Sequence, residues 1–281
     1  MLAGFLLALR EGIEATLVVG IVLGVLKRMN RMDRARWVWL GVGLAAAISF
    51  IVALILNLLN AEFDGPGEQA FEGFTMLAAA GVLTWMIFWM QKQGRSVQTG
   101  LESNVTSALS RGQGWALFSI AFFAVVREGV ELALFLTAVN FSSTPAAGVE
   151  APILGWLGGL LGLVAAVIVG WLMFDTTVKL NLRRFFQFTS IVLIIFAAGL
   201  IGHAVHEFNE LGWIPNIIPQ WYDFNHIISE STVFGQFLKA LFGYSAAPSL
   251  TESIGYAGYF VVTFCMARWI DRRPVSSATA A

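Results

Sequence analysis

Arg10-Glu11-Gly12-Ile13-Glu14, set in the apolar run 2–26, recurs as Arg127-Glu128-Gly129-Val130-Glu131 in the apolar run 115–140. A charged side chain at the bilayer centre costs about 2.5–3.5 kcal/mol on insertion scales. Six unpaired charges would cost on the order of 15–20 kcal/mol, more than the roughly 5–15 kcal/mol that holds a typical domain together. They therefore face one another, water or an ion. On a helix, Arg10 and Glu14 lie about 40° apart around the axis and Glu11 and Glu14 about 60°, so each motif puts its three charges on one face. Gly12 and Gly129 remove side chains and permit close helix approach. Two such faces opposed gather four carboxylates and two guanidiniums, leaving a surplus of two negative charges for protons or a divalent cation. Oxygen donors without cysteine suit Mg, Ca, Mn or Fe ions rather than Cu or Zn. These residues alone support a cation-translocating permease; they do not choose the metal.

The rest of the chain suits a bilayer. Of 281 residues, 57% are hydrophobic and 12% charged, with mean hydropathy +0.74; soluble domains carry about 25% charged residues. That excludes an ordinary soluble enzyme, a disordered chain and a nucleic-acid binder. Net charge is −1, so no global field draws an anionic partner. The single cysteine, Cys265, excludes an intramolecular disulfide framework and reads as a small apolar filler. Seven stretches are long and apolar enough to span: 2–26, 37–59, 69–90, 115–140, 152–174, 186–208 and 253–270. The first lacks a basic leader and is interrupted by charge, so it reads as a retained span rather than a signal peptide.

Basic residues orient the spans. Outside the two motifs, Lys27, Arg28, Arg31, Arg34, Arg36, Lys92, Arg95, Arg111, Lys179, Arg183, Arg184, Arg268, Arg272 and Arg273 fall on one side, and Lys239 alone on the other. The expectation is an all-α integral membrane protein with its N-terminus outside and its C-terminus cytoplasmic. Glu62, Asp64, Glu68, Glu150, Glu210, Asp223, Glu230 and Glu252 make the outer side acidic, a mouth able to concentrate cations. Three spans separate the two motifs, so the second copy runs opposite to the first, the mark of an inverted repeat with a midplane site. The chain is expected to form one permease domain, 1–281: repeat one over 1–91, repeat two over 114–210, an outer segment 211–252 broken by Pro215, Pro219 and Pro248 into short interfacial pieces, a seventh helix 253–270 outside the repeat, and a disordered tail 274–281.

Three further features bear on a path. Glu68 and Glu72 share a helical face at the outer end of the third span, where a helix N-terminus alone would also favour them. His203, His206, Glu207 and Glu210 cluster at the outer end of the sixth, with a spacing foreign to zinc proteases; they suit metal capture or simple solvation. Gly155, Gly158, Gly159 and Gly162 form small-xxx-small pairs suited to helix packing.

Two intramembrane R-E-G-x-E motifs in a seven-span chain resemble the oxidase-dependent iron permeases, a family with bacterial EfeU-type and fungal high-affinity ferric branches. Leu83-Thr84-Trp85-Met86-Ile87-Phe88-Trp89-Met90 and Phe122-Phe123-Ala124-Val125-Val126-Arg127-Glu128-Gly129 are similar to the bacterial branch, and Glu68-Gln69-Ala70-Phe71-Glu72-Gly73 to the fungal E-D-L-W-E-G element. The resemblance implies that Glu11, Glu14, Glu128 and Glu131 carry iron, with Arg10 and Arg127 balancing or orienting them and Glu72, beside Glu68, as a third acidic element. Glu210 resembles the recurrent acidic residue ending the sixth span, whereas His203, His206 and Glu207 are particular to this chain. The resemblance also implies a bacterial inner membrane. Its expected partners are a periplasmic cupredoxin-like protein and a haem peroxidase, where fungal members use a multicopper ferroxidase. Iron is the expected cargo, with no bound redox cofactor. Fe²⁺ would cancel the surplus charge, which favours the ferrous ion. The rival readings are a proton-coupled carrier for another divalent ion such as Mn²⁺, an intramembrane di-iron carboxylate enzyme, which would normally add Glu-x-x-His pairs, and a scaffold held by structural ion pairs.

Overall fold

The computed structural model describes residues 1–62, 65–93, 100, 103–107, 109, 114–142, 151–175, 182–229 and 232–271. Outside them lie Asp64, Arg95, Arg111, Glu150, Lys179, Glu230, Arg272, Arg273 and the tail 274–281, as do the side chains of Glu62, Lys92, Arg183 and Arg184. The regular elements among the described residues are all helices. They are α1 (Leu2–Arg28), α2 (Ala35–Glu62), α3 (Pro66–Gln93), α4 (Gly114–Phe141), α5 (Ala151–Asp175), α6 (Leu182–Glu210), α7 (Val233–Phe242) and α8 (Leu250–Asp271), with a 3-10 turn at Met32–Arg34. Each of the seven apolar stretches lies inside one of the long helices. Met32–Leu59, Pro66–Met90, Gly155–Met173 and Phe185–Glu210 are long and apolar enough to cross a membrane by length and composition alone. The runs in α1 and α4 are each broken by three charged motif residues.

The two repeats interlock. α1 packs chiefly on α5 and α2 on α4, so each repeat leans on the other more than on itself. Gly4 lies against Gly155, Gly12 against Ala166 and Gly170 against Thr16, so α1 and α5 run parallel. Gly114 lies against Trp37, Gly41 against Phe118 and Gly129 against Ser49, so α2 and α4 do likewise. By contrast α1 and α4 cross antiparallel: Gly4 meets Leu136 while Glu11 meets Glu128. α3 and α6 are also antiparallel, with Gln69 bonded to Glu210 and Gly73 against Phe208. A two-fold axis across the helices, passing between the motifs, produces these pairings. Gly158 and Gly162 admit Met1, Phe5 and Ala8 of α1, and Gly159 admits Leu136 of α4.

Leu7, Met76, Leu83, Met86, Phe135, Phe196 and Leu200 fill the core between α1, α3, α4 and α6. The outer faces of α2 and α5 carry exposed Leu44, Phe50, Leu54, Ile55, Leu160, Val167 and Trp171, the apolar exterior that lipid tolerates and water does not. Within the segment 211–252, α7 is a helix of 10 residues. Thr232 caps it by accepting from the Gly235 N–H at 3.0 Å, and it ends in left-handed Gly243 (φ +62°), whose backbone lies directly on Gly199 in the middle of α6. Two facing glycines leave room for main chain to approach main chain, so the outer segment dips alongside α6 toward the level of the motifs.

Candidate metal centre

At the crossing of α1 and α4, one ligand oxygen from each of Glu11, Glu128 and Glu131 lies within 4.8 Å of the others. Among the described residues this is the one group of three His, Cys, Asp or Glu side chains so placed. Glu11 is 1% exposed and Arg10 0%. Arg10 bridges its own motif, with Nη1 2.6 Å from Glu11 Oε1 and Nη2 2.9 Å from Glu14 Oε1. Arg127 does the same more loosely: its Nε is 2.9 Å from Glu131 Oε1 and 3.8 Å from Glu128 Oε1, with the side chain 31% exposed. Glu11 Oε2, Glu128 Oε2 and Glu131 Oε2 are buried and accept no hydrogen bond from another residue type, while Glu11 and Glu128 lie within hydrogen-bonding reach of each other's carboxyl groups. Such atoms are costly unless something electropositive completes them. One oxygen from each of the three carboxylates thus lies close enough to the others for a hard cation or protons to be held between them.

The motif glycines serve a different contact from the one that makes the centre. A Cβ at Gly12 would stand 2.6 Å from Ala166 Cβ on α5, and one at Gly129 would collide with Ser49 on α2. They draw the second helix of the opposite repeat close and leave the charged face, centred about 150° around the helix, to the motif helices.

Where the N-terminal end of α3 meets the C-terminal end of α6, the acidic residues form two sets linked through Glu207. Glu72 of α3 stands within Coulombic reach of Glu207 and Glu68, and Glu207 in turn of Lys239 on α7. Glu210 accepts from Gln69 Nε2 at 2.7 Å, tying α6 to α3. His206 lies between two carboxylates, with Nδ1 3.0 Å from Glu252 Oε1 on α8 and Nε2 3.4 Å from Glu210 Oε1. His203 is half-buried one turn further in on α6. The structure therefore places Glu72 and Glu207 within Coulombic reach of one another and joins His206 and Glu210 to neighbouring helices. Neither set forms a tight triad like that of Glu11, Glu128 and Glu131.

Glu252 escapes a search for intramembrane charge, yet it is a local signal. Ser249-Leu250-Thr251-Glu252 after Pro248 is a capping box: Glu252 N–H donates to Ser249 Oγ at 3.2 Å and Ser249 N–H to Glu252 Oε1 at 3.3 Å. Asn209 Nδ2 also donates to Ser249 Oγ and Thr251 Oγ1 at 3.0 and 2.9 Å, so the cap doubles as the clasp between α6 and α8. Ser249→Ala is expected to destabilise the protein by about 1 kcal/mol and to lower its melting temperature in detergent by a few degrees. An unchanged melting temperature would show the clasp to be idle.

A protein with two interlocked repeats and a carboxylate centre buried where they cross has the make-up of a carrier for cations. The profile of the Iron permease FTR1 family matches residues 1–269. The chain is 37% identical over 283 residues to the ferrous iron permease EfeU of Yersinia pestis, covering 100% of this chain and 98% of that protein. It is 39% identical over 257 residues to the ferrous iron permease EfeU of Escherichia coli O157:H7, covering 90% of each. No solved structure matches. The chain belongs to the iron permease FTR1 family: a multi-pass membrane transporter, not an enzyme.

Proposed function

We propose that this chain imports iron across a bacterial inner membrane through the centre formed by its two R-E-G-x-E motifs. The observation that carries the reading is the convergence of Glu11, Glu128 and Glu131 within 4.8 Å of one another in a buried crossing of two antiparallel helices. In this reading all seven long helices cross the bilayer, with the N-terminus outside. α1 and α4 cross it despite their charges because those charges compensate one another. Glu68, Glu72, Glu207 and Glu210 face the outside and gather cations, and Glu72 and Glu207 pass them inward. Four carboxylates and two guanidiniums leave a charge of −2, which Fe²⁺ cancels and Fe³⁺ overshoots, so ferrous iron is the favoured cargo. The two curated relatives carry the word ferrous in their names, which supports the same choice. A periplasmic cupredoxin-like protein and a haem peroxidase would act upstream, since the chain supplies no redox group of its own in this reading.

Proteoliposomes test this directly. Ascorbate-reduced Fe²⁺ and chelated Fe³⁺ are offered in parallel, with Glu128→Gln as control and Mn²⁺ as competitor. Uptake of Fe²⁺ that is lost in Glu128→Gln and resists a roughly tenfold excess of Mn²⁺ is the expected result. Uptake of Fe³⁺ alone would overturn the charge-balance argument, and equal transport of Mn²⁺ would make the carrier a general divalent one.

A further inference from the structure

The repeat that carries Arg10 onto Arg127 also carries Met86 and Met90 of α3 onto His203 and Glu207 of α6. An ideal two-fold would therefore send one guanidinium toward the C-terminal end of α3 and the other toward the C-terminal end of α6, on opposite sides of the carboxylates. The structure sends both to α3. Arg10 Nη1 donates to Met86 Sδ at 2.9 Å and Nη2 to Met90 Sδ at 2.8 Å. The Arg127 guanidinium lies 4.6 Å from the ring centre of Trp89 and 5.6 Å from that of Trp85, and the two indoles are themselves 6.4 Å apart. The stretch Trp85-Met86-Ile87-Phe88-Trp89-Met90 of α3 thus offers two thioethers on one stripe and two indoles on the next, each an i,i+4 pair aimed at one arginine.

We propose that Trp85, Met86, Trp89 and Met90 are positioning residues that hold both guanidiniums on the same side of the carboxylate centre, so that a divalent cation meets it from the α6 side. The proposal rests on the transport reading above. Its physical content lies in the choice of partner. A thioether is a weak acceptor and an indole face attracts a cation through its quadrupole. Neither brings negative charge, so these contacts engage the guanidiniums without drawing on another carboxylate, while Arg10 Nε and Arg127 Nη2 stay buried without a hydrogen-bond partner. That agrees with Glu11 Oε2, Glu128 Oε2 and Glu131 Oε2 receiving no hydrogen bond from either arginine. Without the cradle, those N–H groups would turn to the carboxylates of the centre as their strong acceptors, and the arginines would compete with the cation for them. With the N-terminus outside, residues 85–90 lie on the cytoplasmic side of the centre, so the positive charges stand behind it and the outer approach past Glu207 is clear of them.

The test is kinetic. Met86→Leu with Met90→Leu removes both sulfurs at nearly constant volume, and Trp85→Leu with Trp89→Leu removes both π faces, while Trp85→Phe with Trp89→Phe keeps aromatic faces. Both leucine pairs should raise KM for Fe²⁺ uptake by about tenfold with Vmax within about twofold of wild type, and the phenylalanine pair should stay within about threefold in KM. The single variants Met86→Leu and Trp85→Leu carry the same sign and serve if a double variant fails to accumulate. A packing role alone would lower the amount of folded protein and Vmax while leaving KM alone, and that result, or a wild-type KM in both pairs, overturns the proposal. Wild-type protein that takes up no Fe²⁺ in the same vesicles would instead overturn the transport reading and this inference with it.

Discussion

Glu11→Gln is expected to slow iron uptake at least about 30-fold in proteoliposomes while the protein remains folded. Glu11 is the most deeply buried carboxylate of the triad. One of its oxygens is held by Arg10 at 2.6 Å, and the other is buried with no hydrogen bond from an arginine. The amide preserves the shape of the side chain but removes one of the two surplus negative charges. A divalent ion at the centre would then leave a net positive charge in a region from which water is largely excluded. Truncating one member of a buried charge pair costs about 2–5 kcal/mol, which at about 1.36 kcal/mol per decade is roughly 30- to several-thousand-fold. Glu68→Gln, half-buried in the first turn of α3 next to exposed residues, is expected to slow uptake less than about threefold, since a charge near water is screened. Wild-type uptake by both Glu11→Gln and Glu128→Gln would remove the centre from the transport path.

Arg10→Leu has the larger effect on stability. Arg10 has no exposed surface, and its two Nη atoms serve Glu11, Glu14, Met86 and Met90 together. Its removal strands two carboxylates in the interior, and breaking a buried pair from one side costs about 3–5 kcal/mol. Against a total of roughly 5–15 kcal/mol, that is enough to empty the membrane of folded protein. Arg127→Leu is expected to cost less, about 1–3 kcal/mol, because its side chain is 31% exposed and water can replace part of what it supplied. The order of melting temperatures in detergent, wild type above Arg127→Leu above Arg10→Leu, is the measurable content. Adding Glu11→Gln to Arg10→Leu should recover part of the loss, because the stranded charge goes with it. A melting temperature for Arg10→Leu at or above that of Arg127→Leu would show that burial does not govern these arginines.

Much of the architecture is legible along the chain because a bilayer makes its demands locally. Seven apolar runs, the bias of basic residues toward one side and charges repeated inside two of the runs can all be read without knowing any contact. The pairing of Glu11 with Glu128 follows once the repeat is recognised. The capping box at Ser249 and Glu252 is equally local, but its significance lies in His206 and Asn209 on another helix, and no spacing between residues 206 and 252 announces that. The glycines show the same division: Gly12 and Gly129 declare a close approach, while Ala166 and Ser49, the side chains they admit, belong to helices of the opposite repeat.

From its sequence alone, the protein is determined as an apolar helical bundle with two copies of a charged motif and more carboxylates than arginines at its centre. The cost of charge in lipid permits nothing else. Only the tertiary structure decided that three carboxylates from two helices share a point, that both arginines turn to α3, and that α7 dips beside α6 onto Gly199. Those outcomes depend on which side chains meet across helices. A thioether, an indole and a carboxylate are all available partners for a guanidinium, and the packing of α1, α3, α4 and α6 selects among them.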